Sequence, residues 1–246
     1  MKRSRKRLAL MLLTLCCVAA TVRAQGEAEG GNPANWCRNG AFTRDSKEFG
    51  IARIKGEKGA RAYFYGEDEG CPGPAAKCRQ KAYVITGDEV ITSRTFGDWV
   101  CAWYQPARGS ETVGWLAADR LDALESPAPP ALAAWLGTWN FYHNEVRLSR
   151  GRRTGTLSVG GDATWVGVNP ENVHVGELSG EAEPSGGVLK LGGDPEDCQA
   201  TLRLVGPYLI VSDNKQCGGV NVTFDGVYRR KKESGVRSQK APLEED

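Results

Sequence analysis

Short runs in which apolar and polar residues alternate recur along most of this chain. In residues 97–104, Trp99, Cys101 and Trp103 fall on one face at a period of two. A second run, residues 112–121, follows a polar loop and ends in a short helical turn. Similar runs at 51–54, 60–65, 82–85 and 89–93 predict further strands in this half of the chain.

The second half contains the same kind of pattern. The runs that predict strands are 138–143, 145–149, 155–159, 164–168, 173–181, 188–191, 199–204 with 209–212, and 220–229. Glycine-rich connections at 160–162, 185–187 and 192–194 are typical of hairpin turns. Consecutive hairpins form a meander, and a meander of about eight strands removes its exposed edges by closing into an antiparallel barrel.

Composition and prolines divide the chain. With 31 Gly and 12 Pro among 246 residues, many short strands and turns are favoured, so we expect an all-β fold. Pro127, Pro129 and Pro130 predict a stiff linker at 125–134, because proline cannot pair within a central strand. The expected domains are therefore residues 35–124 and 135–230.

Both domains resemble known families. Over residues 51–121, the order of aromatic strand, polar hairpin, Gly114-Trp115-Leu116, helical turn and closing Leu121 resembles a bacterial exported SH3-like small barrel. In the second domain, Gly137-Thr138-Trp139 together with the late Tyr228-Arg229-Arg230 is similar to lipocalin-like barrels, in which an arginine covers the tryptophan ring. At this short length we favour a barrel filled by its own side chains over one with a ligand cavity.

The ends of the chain have the composition of targeting and disordered segments. Residues 1–24 combine five early basic residues, an apolar run and small residues before position 25, which predicts a secretory signal peptide. We expect a disordered leader at 25–34, a charged disordered tail at 231–246, and a periplasmic or secreted protein that does not span the membrane.

Cysteine usage agrees with export. Two of the eight cysteines fall within the predicted signal peptide, and the remaining six predict three disulfides in an oxidising compartment. Proximity along the chain and strand neighbourhood favour the pairs Cys37–Cys101, Cys71–Cys78 and Cys198–Cys217. Zinc is the weaker alternative, because no paired Cys-x-x-Cys spacing occurs and only His143 and His174 could add nitrogen ligands.

Charge argues against nucleic acid as the partner. The full chain has a net charge of +2, and residues 1–24 hold six basic and no acidic residues, so the remainder is near −4 (+2 − 6). No long basic stripe remains that could follow a phosphate backbone.

Catalytic motifs are missing, so we predict neither an enzyme nor a cofactor. The chain lacks Gly-x-Ser-x-Gly and His-Glu-x-x-His, and Glu177 and Glu181 would stand roughly 13 Å apart along a strand, too far for a retaining glycosidase pair. Two Gly-Gly-Asp tripeptides are interpreted as turns rather than as a nucleotide-cyclase signature. The Asn221-Val222-Thr223 sequon is interpreted as a chance match.

The SH3-like resemblance implies binding rather than chemistry. Such folds bind ligands in an aromatic groove between loops, and Tyr63, Tyr65 and Trp115 are the candidates here, whereas Trp99 and Trp103 are expected in the core. The leading hypothesis is a non-catalytic binding protein at the cell envelope whose partner is a protein or a cell-wall peptide.

Two alternatives remain open at this stage. One is an inhibitor of a cell-wall hydrolase or toxin that acts through a disulfide-stiffened loop at residues 213–219. The other is a small-ligand carrier that uses a cavity in the C-terminal barrel.

Overall fold

The computed structural model describes residues 33–125 and 128–231. These residues form an all-β protein with two antiparallel sheets, as predicted. The predicted signal peptide, most of the leader and all of the tail beyond Lys231 lie outside the described residues, as do two residues of the linker.

The first sheet has seven strands and the second has eight. The first contains β1 (Gly50–Ile54), β2 (Arg61–Tyr65), β3 (Arg79–Ile85), β4 (Glu89–Phe96), β5 (Trp99–Tyr104), β6 (Thr112–Ala117) and β7 (Leu121–Ala123). The second contains β8 (Gly137–Phe141), β9 (Asn144–Arg150), β10 (Leu157–Val166), β11 (Val173–Ala182), β12 (Val188–Leu191), β13 (Ala200–Val205), β14 (Tyr208–Asp213) and β15 (Gly226–Arg230). One α-helical turn, α1 (Ala41–Arg44), and 3-10 turns at Pro33–Asn35, Ala76–Cys78, Ala118–Arg120 and Leu132–Ala134 complete the described structure.

The strand order of the first sheet is β3-β2-β6-β5-β4-β1-β7. Strands β4, β5 and β6 form a meander, the 3-10 turn Ala118–Arg120 follows, and β7 returns to pair with β1. The inner face buries small and apolar side chains, among them Ile54, Phe64, Val84, Val90 and Leu116. This face is one apolar core of the first sheet.

The opposite face of the first sheet is also buried. Trp103 and Trp115 belong to a cluster with Cys37 and Phe42 from the segment before β1, and with Ile210 and Val227 from the second sheet. The ring of Trp103 makes an edge contact with Tyr208, with centroids 5.2 Å apart. The two sheets therefore come from separate stretches of the chain but share one apolar cluster.

The second sheet is an eight-stranded, nearly closed antiparallel barrel with the order β11-β10-β9-β8-β15-β14-β13-β12. Strands that follow one another along the chain pair with each other, except β11 and β12, which lie at the two ends of the sheet. The last strand, β15, also pairs with the first strand of this sheet, β8. Its interior holds large apolar side chains. The largest of those side chains are Trp135, Trp139, Phe224, Tyr228, Leu157 and Leu178.

The predicted turn at residues 160–162 is wrong. These residues lie within β10 and pair continuously with β9 and β11. A β-carbon on Gly161 would lie 3.0 Å from the Glu145 carbonyl oxygen and 3.1 Å from the Phe224 ring. The glycine therefore allows close contact inside the barrel, a role that glycine in a strand often has.

The last predicted strand begins later than expected. Residues 220–225 belong to a loop, and β15 starts at Gly226. Asn221 has a left-handed backbone with φ of 67°, and the amide of Phe224 donates a hydrogen bond to the buried Asp213 carboxylate. These two features take the loop out of the strand conformation.

All three predicted disulfides are present. Cys37 is joined to Cys101, Cys71 to Cys78 and Cys198 to Cys217. The arginine expected over the first tryptophan of the barrel is also confirmed, because the guanidinium carbon of Arg230 lies 4.3 Å from the centre of the Trp139 ring. Its guanidinium donates a hydrogen bond to the carbonyl of Leu136, so the arginine joins the last strand of the barrel, β15, to the residue that precedes β8.

Candidate binding surface

The structure does not place Trp115 in an open groove, and this part of the prediction is corrected. Its side chain is 0% exposed, and its indole Nε1 donates a hydrogen bond of 2.8 Å to the backbone carbonyl of Asn35. The face of β6 that carries Trp115 is covered by the segment before β1. A ligand cannot reach this ring without displacing that segment.

Several contacts hold the covering segment in place. The side-chain amide of Asn35 donates hydrogen bonds of 3.2 and 2.5 Å to the backbone carbonyls of Glu67 and Cys71 in the loop between β2 and β3. The Cys37 amide donates to the Glu67 carboxylate, which also forms an ion pair of 2.9 Å with Arg38. Glu67 therefore anchors the covering segment to the loop between β2 and β3.

Tyr65 lies at the border of this covered face. Its ring contacts Trp99 with centroids 4.5 Å apart, and its backbone pairs with Trp115 on β6. Both Tyr65 and Trp99 are half-buried. Tyr65 is therefore reachable only in part, and it belongs to the same aromatic cluster as the buried tryptophan.

Tyr63 lies on the same face of β2 as Tyr65, two residues before the position that pairs with Trp115. Its ring makes an edge contact with Tyr83 of β3, with centroids 5.7 Å apart. The guanidinium of Arg79 lies 4.9 Å from the Tyr63 ring centre, and that of Arg61 lies 4.3 Å from the Tyr83 ring centre. Cation–π contacts thus join two arginines and two tyrosines in one row across the sheet.

Lys81 extends this row on β3. Ala82 and Val84 contribute to the inner core, so the alternation of the strand directs Lys81 and Tyr83 outward. Five residues of β2 and β3 form a surface that we call the basic tyrosine face: Arg61, Tyr63, Arg79, Lys81 and Tyr83.

The basic tyrosine face carries unneutralised positive charge. Arg61, Arg79 and Lys81 are exposed, and none of the three forms an ion pair within residues 33–125 and 128–231. Hydrogen bonding to the Tyr63 hydroxyl raises the pKa of Arg61, so this guanidinium stays charged. Tyr83 is 41% exposed. This combination of charge and exposed rings attracts carboxylates and aromatic or apolar side chains.

Sequence reasoning included Tyr63 in the site but missed its four companions. The signal was the alternation in residues 79–85, where Arg79, Lys81 and Tyr83 occur at every second position. Their contacts with Arg61 and Tyr63 depend on the register of β2 and β3, in which Tyr63 pairs with Tyr83. Periodicity within one strand does not reveal that register.

The loop between β14 and β15 is fixed by a second polar cluster. The fully buried carboxylate of Asp213 accepts hydrogen bonds from the Phe224 amide and, at 3.2 Å, from the Thr223 hydroxyl. The ammonium of Lys215 donates to Thr223 at 2.6 Å and also to Asp225. Burial raises the pKa of Asp225, while Lys215 acts in the opposite direction.

Most histidine and cysteine side chains of the described residues are engaged in bonds within the fold. No group of three or more His, Cys, Asp or Glu side chains among them is arranged to hold a metal ion. The ring of His174 bonds to the carbonyl of Val220 at 2.6 Å, and the six described cysteines are all in disulfides. Within the same residues, no helix is long and apolar enough to cross a bilayer.

Comparison with known proteins gave no relative. No protein-family model, no curated protein and no solved structure matches this chain. Its function therefore has to be inferred from the geometry of its own residues.

Proposed function

We propose that this chain is a non-catalytic binding protein of the cell envelope, and that its basic tyrosine face recognises carboxylate-bearing peptide segments of a protein or of the cell wall. The observation that carries the proposal is the exposed row in which Arg61 lies over Tyr83 and Arg79 lies over Tyr63. Arginine and tyrosine are enriched at binding hot spots, since both combine large contact area with directional polar groups.

The topology of the first sheet supports an SH3-like interpretation. A three-stranded meander, a 3-10 turn after its last strand and a short final strand that returns to β1 occur in the order expected for such a small barrel. SH3-like folds are typically binding modules. In this chain the proposed binding residues lie on the hairpin of β2 and β3, because the face around Trp115 is covered.

The disulfides are compatible with an extracellular or periplasmic protein. Cell-wall peptides and many envelope proteins present carboxylates outside the cytoplasm. The chain without residues 1–24 has a net charge near −4, so a local cluster of positive charge would direct such ligands to one face. We therefore place the interaction at the envelope.

Two assays with the full chain test the proposal. One is co-sedimentation with purified peptidoglycan sacculi, and the other is capture of solubilised envelope proteins on the immobilised protein. We expect Arg61→Ala combined with Arg79→Ala to reduce recovery by about tenfold, since each lost charge-assisted contact contributes roughly 1 kcal/mol or more. Recovery of wild type should also fall as salt is raised.

A matched variant controls for net charge. Arg108→Ala combined with Arg150→Ala removes the same charge from exposed arginines outside the basic tyrosine face. We expect it to behave as wild type. Equal recovery for both double variants, or recovery of nothing by wild type in either assay, would overturn the proposal.

A second candidate function rests on the loop between β14 and β15. The disulfide Cys198–Cys217 and the buried Asp213 hold this loop rigid, while Lys215 and Gln216 remain exposed. A rigid exposed loop loses little entropy when it inserts into another protein, as an inhibitor loop does. If Gln216→Ala reduces the recovery of envelope proteins while the Arg61→Ala and Arg79→Ala changes do not, this candidate replaces the first.

A further inference from the structure

The strand β3 has an unpaired edge. It is the first strand in the order β3-β2-β6-β5-β4-β1-β7, so it pairs with β2 on one side and with no strand of the described chain on the other. Exposed edges accept additional strands unless a protein blocks them. The inference below rests on the proposed function of the basic tyrosine face and specifies how a ligand binds there.

The hydrogen bonds around β3 show which backbone groups point to the open edge. The amide of Thr86 donates to Ala60 at 3.1 Å, so residues 86 and 60 form a hydrogen-bonded pair. Alternation then makes Ile85 and Tyr83 non-hydrogen-bonded partners of Arg61 and Tyr63, with their own N–H and C=O groups directed away from β2.

The other end of β3 gives the same phase. The amide of Gly66 donates to Cys78 at 2.8 Å, which makes the neighbouring pair Tyr65–Arg79 non-hydrogen-bonded. Arg79 and Tyr83 therefore both present their backbone N–H and C=O groups to the open edge. Between these two residues the register is irregular, because residues 80–82 of β3 lie opposite Phe64 of β2.

The upper end of the edge is closed by the chain itself. The Ile85 amide donates to the Asp88 carboxylate at 2.9 Å, and the Ile85 carbonyl accepts from the Asp88 amide at 3.0 Å. The open part therefore runs from Tyr83 to Arg79. Its length of five residues is enough to pair with a short extended peptide.

The side chains beside this edge select the chemistry of the added strand. Residues of a new strand that lie opposite Arg79 and Lys81 would have their β-carbons about 5 Å away on the outer face, where carboxylates are favoured. Residues at the alternate positions would lie beside the exposed Gln80 and beside Ala82, which packs against the inner core and favours an apolar side chain there. The same charges disfavour a second copy of this chain, because pairing β3 with β3 would oppose basic side chains.

We propose that β3 binds an extended peptide of alternating acidic and apolar residues by β-strand addition, with its backbone bonded to Arg79 and Tyr83 and its carboxylates on the basic tyrosine face. Backbone hydrogen bonds would hold the peptide at the edge, and the charges would choose its sequence.

Fluorescence anisotropy with the full chain tests the proposal. The probe is a fluorescein-labelled heptapeptide in which valine alternates with glutamate. A matched probe of the same sequence is N-methylated at the alternate amides that would face β3, so it keeps every side chain and charge. We expect N-methylation to weaken binding by about tenfold or more, because each lost backbone hydrogen bond contributes on the order of 1 kcal/mol.

Protein variants supply an independent measurement. Tyr83→Pro removes one edge N–H without removing a bond to β2, and Tyr83→Ala removes only the side chain beyond the β-carbon. We expect Tyr83→Pro to bind the unmodified probe about tenfold more weakly than Tyr83→Ala. If Tyr83→Pro does not fold, as judged by circular dichroism, the N-methylated probe carries the test alone.

The outcomes separate this inference from the proposed function. Equal binding of both probes would overturn strand addition and leave side-chain recognition by the basic tyrosine face intact. Failure of the unmodified probe to bind, while sacculi or envelope proteins are still recovered through Arg61 and Arg79, would also overturn strand addition alone. Loss of both kinds of binding would overturn both proposals.

Discussion

The indole Nε1 of Trp115 donates a hydrogen bond of 2.8 Å to the backbone carbonyl of Asn35, which lies 80 residues earlier in the chain. Both groups are buried. The bond joins the middle of the first sheet to the segment that covers it. The face of the sheet that carries Trp115 is therefore buried inside the protein. This relationship moves the candidate binding site from Trp115 to the exposed hairpin of β2 and β3.

Trp115→Phe should destabilise the protein because it removes that bond and keeps an aromatic ring. The carbonyl of Asn35 would be left buried without its donor, which costs about 1 to 3 kcal/mol. Urea denaturation followed by circular dichroism measures the free energy of unfolding. Trp165→Phe is the matched control, because the Trp165 indole donates no hydrogen bond among the described residues and its ring is half-buried. An equal loss in the two variants would contradict the role assigned to the Asn35 bond.

The disulfides should differ in how much they stabilise the fold. Cys37–Cys101 spans 64 residues of sequence and Cys71–Cys78 spans 7. On the chain-entropy account, each disulfide lowers the entropy of the unfolded chain. The resulting stabilisation of the fold is about 4 kcal/mol for the longer loop and about 2.5 kcal/mol for the shorter one. Urea denaturation of the two double-alanine variants should reveal the larger loss for Cys37→Ala with Cys101→Ala. The reverse order would show that loop closure is not the main contribution.

Gly176 should tolerate no side chain where β11 meets the loop that follows β14. A β-carbon there would lie 2.3 Å from the Cys217 carbonyl oxygen and 2.7 Å from Val222, at the bridge between Gly176 and Gly218. Gly176→Ala must therefore displace the loop, and we expect a loss of about 1 to 3 kcal/mol. Gly193→Ala is the control, since a β-carbon at Gly193 meets nothing within 4 Å. Thermal unfolding compares the two, and similar melting temperatures would contradict the predicted clash.

Alternation along the chain was enough to predict the all-β fold and most strands of both sheets. It failed at Gly160 and Gly161, where two glycines within a strand resemble a turn although they serve close contact inside the barrel. The three disulfides were predicted because a short loop favoured Cys71–Cys78, the expected neighbouring strands favoured Cys198–Cys217, and one pair remained. The first two of these pairs, like the strands, depend on local sequence or on neighbouring strands.

The binding surface was predicted only in part, because it depends on contacts between distant residues. The pattern of β5 places aromatic residues on one face but does not say what covers them. In the structure, Ala102 and Trp103 are both buried, on opposite faces of the same strand. The cover over Trp103 comes from Phe42 and from Ile210, far away in the chain. Tyr63 survives as a candidate because its ring contacts Tyr83 and Arg79 and is not part of the covered cluster around Trp115.

Glu181 gives a prediction about pH. Its carboxylate accepts a hydrogen bond of 2.6 Å from the Thr156 hydroxyl and one of 3.2 Å from the Arg153 amide. The hydroxyl contributes most, and together these bonds lower the pKa of Glu181 from 4.5 to about 2. Because the pKa in the folded state is below that in the unfolded state, the stabilisation is complete above pH 4.5 and is lost as the pH falls towards 2.

Glu181→Gln should therefore be less stable than wild type at pH 7, and the difference should shrink as the pH is lowered from 4.5 towards 2. Urea denaturation at pH values across this window measures the difference. Glu183→Gln, two residues further along, removes the same charge from an exposed side chain and should leave the pH dependence of wild type unchanged. A constant difference between wild type and Glu181→Gln across the window would mean that the Thr156 bond does not favour the ionised carboxylate. A parallel loss in Thr156→Val, with the same disappearance at low pH, would assign the effect to that hydroxyl.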